Sequence, residues 1–63
     1  MIASVGYDAA AKILEIEFTN TKIYRYFMVP ERTYGELLNA PSAGEYFLAY
    51  IKSRFPFEEI ARG

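Results

Sequence analysis

Cysteine, histidine and tryptophan are all missing from these 63 residues. Without cysteine no disulfide can tie the chain, and without cysteine or histidine a Cys/His zinc site is excluded. The same absence fits a reducing, cytoplasmic setting. General acid–base catalysis near neutral pH draws most often on histidine, so the commonest catalytic class is lost at once. Long apolar runs are lacking too: nothing approaches the ~20 consecutive apolar residues that span a bilayer. The first residues, Met1 to Asp8, have no basic region and do not read as a signal peptide. Charge of one sign is also scarce. Seven Lys and Arg against eight Asp and Glu leave a net charge of −1, without the basic excess that dedicated nucleic-acid binders carry.

What the chain has is aromatic bulk, six tyrosines and five phenylalanines. Its length allows one domain, 1–63. A domain this small buries only about 60% of the surface its unfolded form exposes. Large rings remove much apolar area per residue, so they are the natural means of building a core here.

The hydrophobic spacing changes halfway along. The first half has period two and the second half helical spacing. Strands are expected at about 2–8, 13–19 and 22–28. Asp8 is suited to start the first turn and Asn20-Thr21 to form the second. Connections this short make an antiparallel meander, because a parallel crossover needs a dozen or more residues. Pro30 stops the third strand and suits the first turn of a helix. Tyr34, Leu37 and Leu38 follow at i, i+3, i+4, predicting a helix over about 31–39. Ser42 and Glu45 have the form of a capping box, opening a second helix over about 43–55 that carries Tyr46, Phe47, Tyr50, Ile51 and Phe55 and ends before Pro56. Phe57 and Ile60 suggest a tail that packs back. The expected fold is therefore α+β: a three-stranded antiparallel meander with two short helices on one face. Its expected core is Leu14, Ile16, Phe18, Tyr24, Tyr26, Leu38, Phe47 and Ile51.

Strand register decides what lies on the other face. A two-residue turn at Asn20-Thr21 would set Ile16 opposite Arg25 and put a charge in the core. A three-residue loop sets Glu17 opposite Arg25 and Ile16 opposite Tyr26. Because a one-residue slip moves every side chain across the sheet, the second register is the expected one. It leaves Glu15, Glu17, Ile23, Arg25 and Phe27 on the uncovered face.

Several short motifs then line up in order: Tyr7-Asp8, the strand ending at Phe18, Tyr24-Arg25-Tyr26, Val29-Pro30, Tyr34, and Ala40-Pro41-Ser42-Ala43-Gly44-Glu45-Tyr46-Phe47 with Ile51. Together they resemble the KTSC domain, a family named for the C-terminal extension of some lysyl-tRNA synthetases and found also as stand-alone bacterial and phage proteins. The resemblance covers nearly the whole chain and places the family's central Y-x-Y on Tyr24 and Tyr26. It implies contact with RNA, either tRNA or single strands.

No catalytic constellation is present in the sequence, and no enzyme activity, cofactor or metal is expected. Glu15 and Glu17, neighbours along one strand face, cannot supply the several converging oxygens that a divalent cation wants. Ser42 has no histidine and no nearby lysine to activate it, so its expected role is the helix cap. Two binding modes remain. The first is a protein-binding or assembly module, a weak homodimer included, that uses the face with Ile23, Arg25 and Phe27. The alternative is an RNA-binding accessory domain in which Tyr24 and Tyr26 stack on bases while Lys22 and Arg25 meet phosphates.

Overall fold

The computed structural model describes residues 1–60. In chain order the elements are β1 (Ile2–Asp8), β2 (Ile13–Phe18), β3 (Ile23–Tyr26), α1 (Glu31–Asn39), α2 (Ala43–Tyr50) and β4 (Phe57–Ile60). The strands form one antiparallel sheet in the order β1-β2-β3-β4. The expected α+β meander with two helices is present, extended by a fourth strand that pairs with β3. The tail that was expected to pack back does so as part of the sheet.

The turns follow from local chemistry. Asp8 accepts hydrogen bonds from the amides of Ala10 and Ala11 at 3.1 and 3.2 Å, and Lys12 closes that turn with φ at 58°. Between β2 and β3 the pairing of Phe18 with Lys22 closes a three-residue loop, as expected, but it comprises Thr19, Asn20 and Thr21. Phe18 N–H donates to Lys22 O and Thr21 N–H to Phe18 O, both at 2.9 Å. Thr21 takes φ = 70°, the left-handed position that completes a three-residue hairpin loop.

This placement corrects the expected register by two residues. Glu15, not Glu17, lies opposite Arg25, and Ile16 lies opposite Tyr24. A shift of two preserves the faces, so the separation of apolar from charged residues holds even though the individual pairings do not.

Two element ends also differ from expectation. β3 stops at Tyr26 rather than near 28, because Met28 adopts φ = 60° and the chain turns away to bond Val29 N–H to Lys12 O at 3.0 Å. α2 stops at Tyr50 rather than 55. Its C-cap, Ile51, departs from helical geometry while burying its side chain completely, and the following turn carries the chain back to β3.

The core consists of Leu14, Ile16, Tyr26, Val29, Leu37, Phe47 and Ile51, with Phe18 and Tyr24 half-buried against it. The inner face of β1 and β2 meets α1 through Tyr7 and Tyr34, whose rings stack at 5.0 Å, and Tyr7 also donates to Val29 O at 2.5 Å. α2 seats Phe47 edge-on against Phe18 and Tyr26, at 5.3 and 5.5 Å. One expected core residue is misplaced: Leu38 is 55% exposed, whereas Leu37 is buried. The buried face of α1 runs through Tyr34 and Leu37, and Leu38 lies a further ~100° around the helix. Tyr50 also lies outside the core at 51% exposure, beside Tyr46 and under the Arg54 guanidinium. Among the described residues no helix is long and apolar enough to cross a membrane.

Candidate functional site

The two faces of the sheet differ in chemistry. On the outer face Arg25 lies between Glu15 on β2 and Glu58 on β4, and its Nε donates to Glu15 Oε2 at 3.0 Å. Ser4 donates to Glu17 at 3.1 Å on the same face. Ile23 lies opposite Ile60. Phe27, just beyond β3, is half-buried, and its backbone N–H donates to Pro56 O at 2.9 Å. Arg25 and Ile23 are thus separated from the two tyrosines that flank them in sequence.

The inner face is covered only in part. α1 and α2 sit over β1, β2 and the near side of β3, and β4 widens the sheet past them. Phe57 on β4 is left 54% exposed next to Tyr24, which is half-buried. Its ring centroid lies 5.6 Å from those of Tyr24 and Tyr26, and the two tyrosines stack at 6.4 Å. These rings floor an open groove of about 490 Å³. Leu48 and Lys52 line it from α2 and the turn that follows, and Asn20 and Lys22 from the β2–β3 hairpin. Among the described residues no carboxylate lines it. Glu59, opposite Tyr24 in the ladder, is the nearest acidic residue in register.

The tyrosines of the Y-x-Y segment have different roles. Tyr26 is 3% exposed, and burial, followed by the neighbouring Tyr24, pushes its hydroxyl up to about 12. Its ring is committed to the core, whereas Tyr24 keeps part of its surface in the groove. Lys22 joins them there, so three of the six candidate binding residues meet in one site: Lys22, Tyr24 and Tyr26. Arg25 and Ile23 belong to the opposite face, and Phe27 lines neither the groove nor the core.

Sequence reasoning did not assign Phe57, Leu48 or Lys52 to a site. The aromatic at 57 after a proline was visible, but its position beside Tyr24 depends on β4 pairing with β3. Ser42 acts as expected: its Oγ accepts from Glu45 N–H at 3.3 Å. The Glu45 carboxylate makes no hydrogen bond among the described residues, so only one half of the capping box is formed. Among the described residues no group of three or more acidic side chains is placed to hold a metal ion.

The comparisons with known proteins converge. The KTSC domain model matches residues 1–55. A crystal structure of a KTSC domain protein from Yersinia pestis superimposes with a TM-score of 0.93 at 38% identity, covering 95% of this chain and 84% of that one. A protein of Tsukamurella paurometabola is 39% identical over 54 residues, 86% of this chain and 81% of its own length. A lysine–tRNA ligase of Nostoc punctiforme is 38% identical over 61 residues, 97% of this chain, and this chain spans only 11% of that protein. With the family model matching all but the last strand and a solved relative sharing the whole sheet-and-helix arrangement, the chain belongs to the KTSC domain family.

Proposed function

We propose that this protein is a non-catalytic RNA-binding accessory domain whose ligand lies in the groove floored by Tyr24 and Phe57. The observation that carries this reading is the pairing of exposed ring surface with two lysines, Lys22 and Lys52, in a groove that, among the described residues, no carboxylate lines. Aromatic surfaces receive bases and flanking cations receive phosphates. The net charge of −1 does not oppose this, because Glu15, Glu17 and Glu58 gather on the opposite face, and Glu59, which shares the face of Tyr24, is not among the residues that line the groove. The similarity to a segment of lysine–tRNA ligases supports tRNA as one RNA to test.

Fluorescence anisotropy with labelled tRNA and with a single-stranded 12-mer tests the reading at two salt concentrations. Binding that weakens with salt and is reduced in Lys22→Ala and Lys52→Ala is the expected result. Absence of binding at low salt refutes it.

The protein-contact reading retains one supporting feature, the Ile23–Ile60 pair on the outer face, with Phe27 beyond the other end of β3. Its symmetric form loses its cation, because Arg25 already engages Glu15 of its own chain at 3.0 Å. Light scattering of wild type and Phe27→Ser over a concentration series checks this reading. A dimer that the substitution dissociates would support it.

A further inference from the structure

Much of the ring surface lining the groove is already committed to the core. Phe47 and Tyr26 are 4% and 3% exposed, and each packs edge-on against the other at 5.5 Å. Phe18 meets Tyr24 edge-on at 5.7 Å. The most open ring is that of Phe57, with the half-buried rings of Tyr24 and Phe18 beyond it, and the Phe57 and Tyr24 rings are tilted by 37° to one another. Two bases in a continuous stack need parallel supports, and these two rings offer one face and one oblique wall. Leu48, 50% exposed, provides apolar surface on the α2 side. Lys22 and Lys52 come from different elements and line the groove from the hairpin and from the end of α2.

Resting on the RNA-binding reading above, we propose that the groove accepts unpaired RNA: a single unstacked base against Phe57 and Tyr24, with two backbone phosphates on Lys22 and Lys52. A base in an A-form duplex has both faces covered by its neighbours, and duplex RNA is met through phosphates and 2′-hydroxyls over many base pairs. Two lysines beside one exposed ring do not supply such a track. A loop, a bulge or a free end supplies the splayed base that the rings require.

The test compares a labelled single-stranded 12-mer, a hairpin with a single-stranded loop, and a blunt duplex, each over a salt series. Single strand and loop should bind alike and the duplex much more weakly. The slope of log affinity against log salt should be about −1.4, from two phosphates at about −0.7 each on a single strand, and each lysine-to-alanine variant should flatten it by about 0.7. Phe57→Ala should weaken binding roughly 5- to 150-fold, the loss of one base stack, with its fold verified by circular dichroism. Phe57→Tyr, which keeps the ring, should retain affinity and serves as the check should the alanine variant unfold. Arg25→Ala, on the outer face, should change neither slope nor affinity. Equal affinity for the duplex, or a steep slope shared with Arg25, would overturn the groove assignment while leaving RNA binding intact. Failure of every RNA to bind would remove both readings. A Phe57 variant that alters self-association instead of RNA affinity would identify the groove as a protein contact.

Discussion

Leu37 and Leu38 are adjacent, chemically identical and opposite in fate. Leu37 is buried in the core and Leu38 is 55% exposed. Leu37→Ala should therefore cost about 2–5 kcal/mol through lost contacts and a cavity, whereas Leu38→Ala should stay within about 0.5 kcal/mol. Urea denaturation of both variants checks this, and similar midpoints would refute the assignment of the α1 face. The tyrosines give a second test at this scale. Tyr26 is raised to about 12 by burial. Tyr46 is raised to about 12 chiefly by its hydrogen bond to Glu36 Oε1 at 2.6 Å, the same bond that lowers Glu36. A group raised in the folded state protects stability below its unfolded value, near 10 for tyrosine, and that contribution is lost as pH climbs through the folded value. Stability should fall between about pH 10 and 12. Tyr26→Phe should flatten that decline in denaturation curves recorded across the range, and an unchanged alkaline slope would argue against the shift.

Among the elements, α2 depends on its cap and β3 on its last neighbour. Ser42 accepts the Glu45 amide at 3.3 Å, and the Glu45 carboxylate does not reciprocate, so Ser42→Ala should cost about 0.5–2 kcal/mol. Because Ser42 is not among the groove-lining residues, RNA affinity of the folded variant should be unchanged, and a selective loss of binding would place Ser42 in a site. β4 covers the outer edge of β3. A chain ending after Pro56 would expose the backbone groups of β3 as an open edge, a known route to intermolecular pairing. Dynamic light scattering should show more self-association for that chain than for the full sequence. A monodisperse monomer would mean that β4 is dispensable for protecting the edge.

At the scale of the whole molecule the sheet divides charge. Its outer face holds the Arg25–Glu15 pair, about half exposed on both sides, and a pair that wet contributes about 0–1 kcal/mol. Arg25→Ala should lower stability by no more than that, read from the thermal midpoint. The ladder and the core beneath are untouched, so the circular dichroism spectrum should not change. A drop of several kcal/mol would show that the pair organises the sheet rather than decorating it.

Period-two alternation in Leu14, Ile16 and Phe18, and the return of that pattern at Tyr24 and Tyr26, were enough to determine a meander with apolar and charged faces. Side-chain alternation is a backbone property that needs no distant contact. The Asp8 turn, the Ser42 cap and the boundaries of α1 were legible for the same reason, since each is satisfied within a few residues. The register was not: two pairings that differ by two residues put the same side chains on the same faces, and only the Phe18–Lys22 closure with Thr21 in the left-handed region separates them. The end of α2 was set by where Ile51 could be buried. The groove was least legible of all. Phe57 comes beside Tyr24 only when β4 joins the sheet, and Lys52 reaches the groove from the turn that follows α2, outcomes fixed by long-range packing rather than by any local pattern.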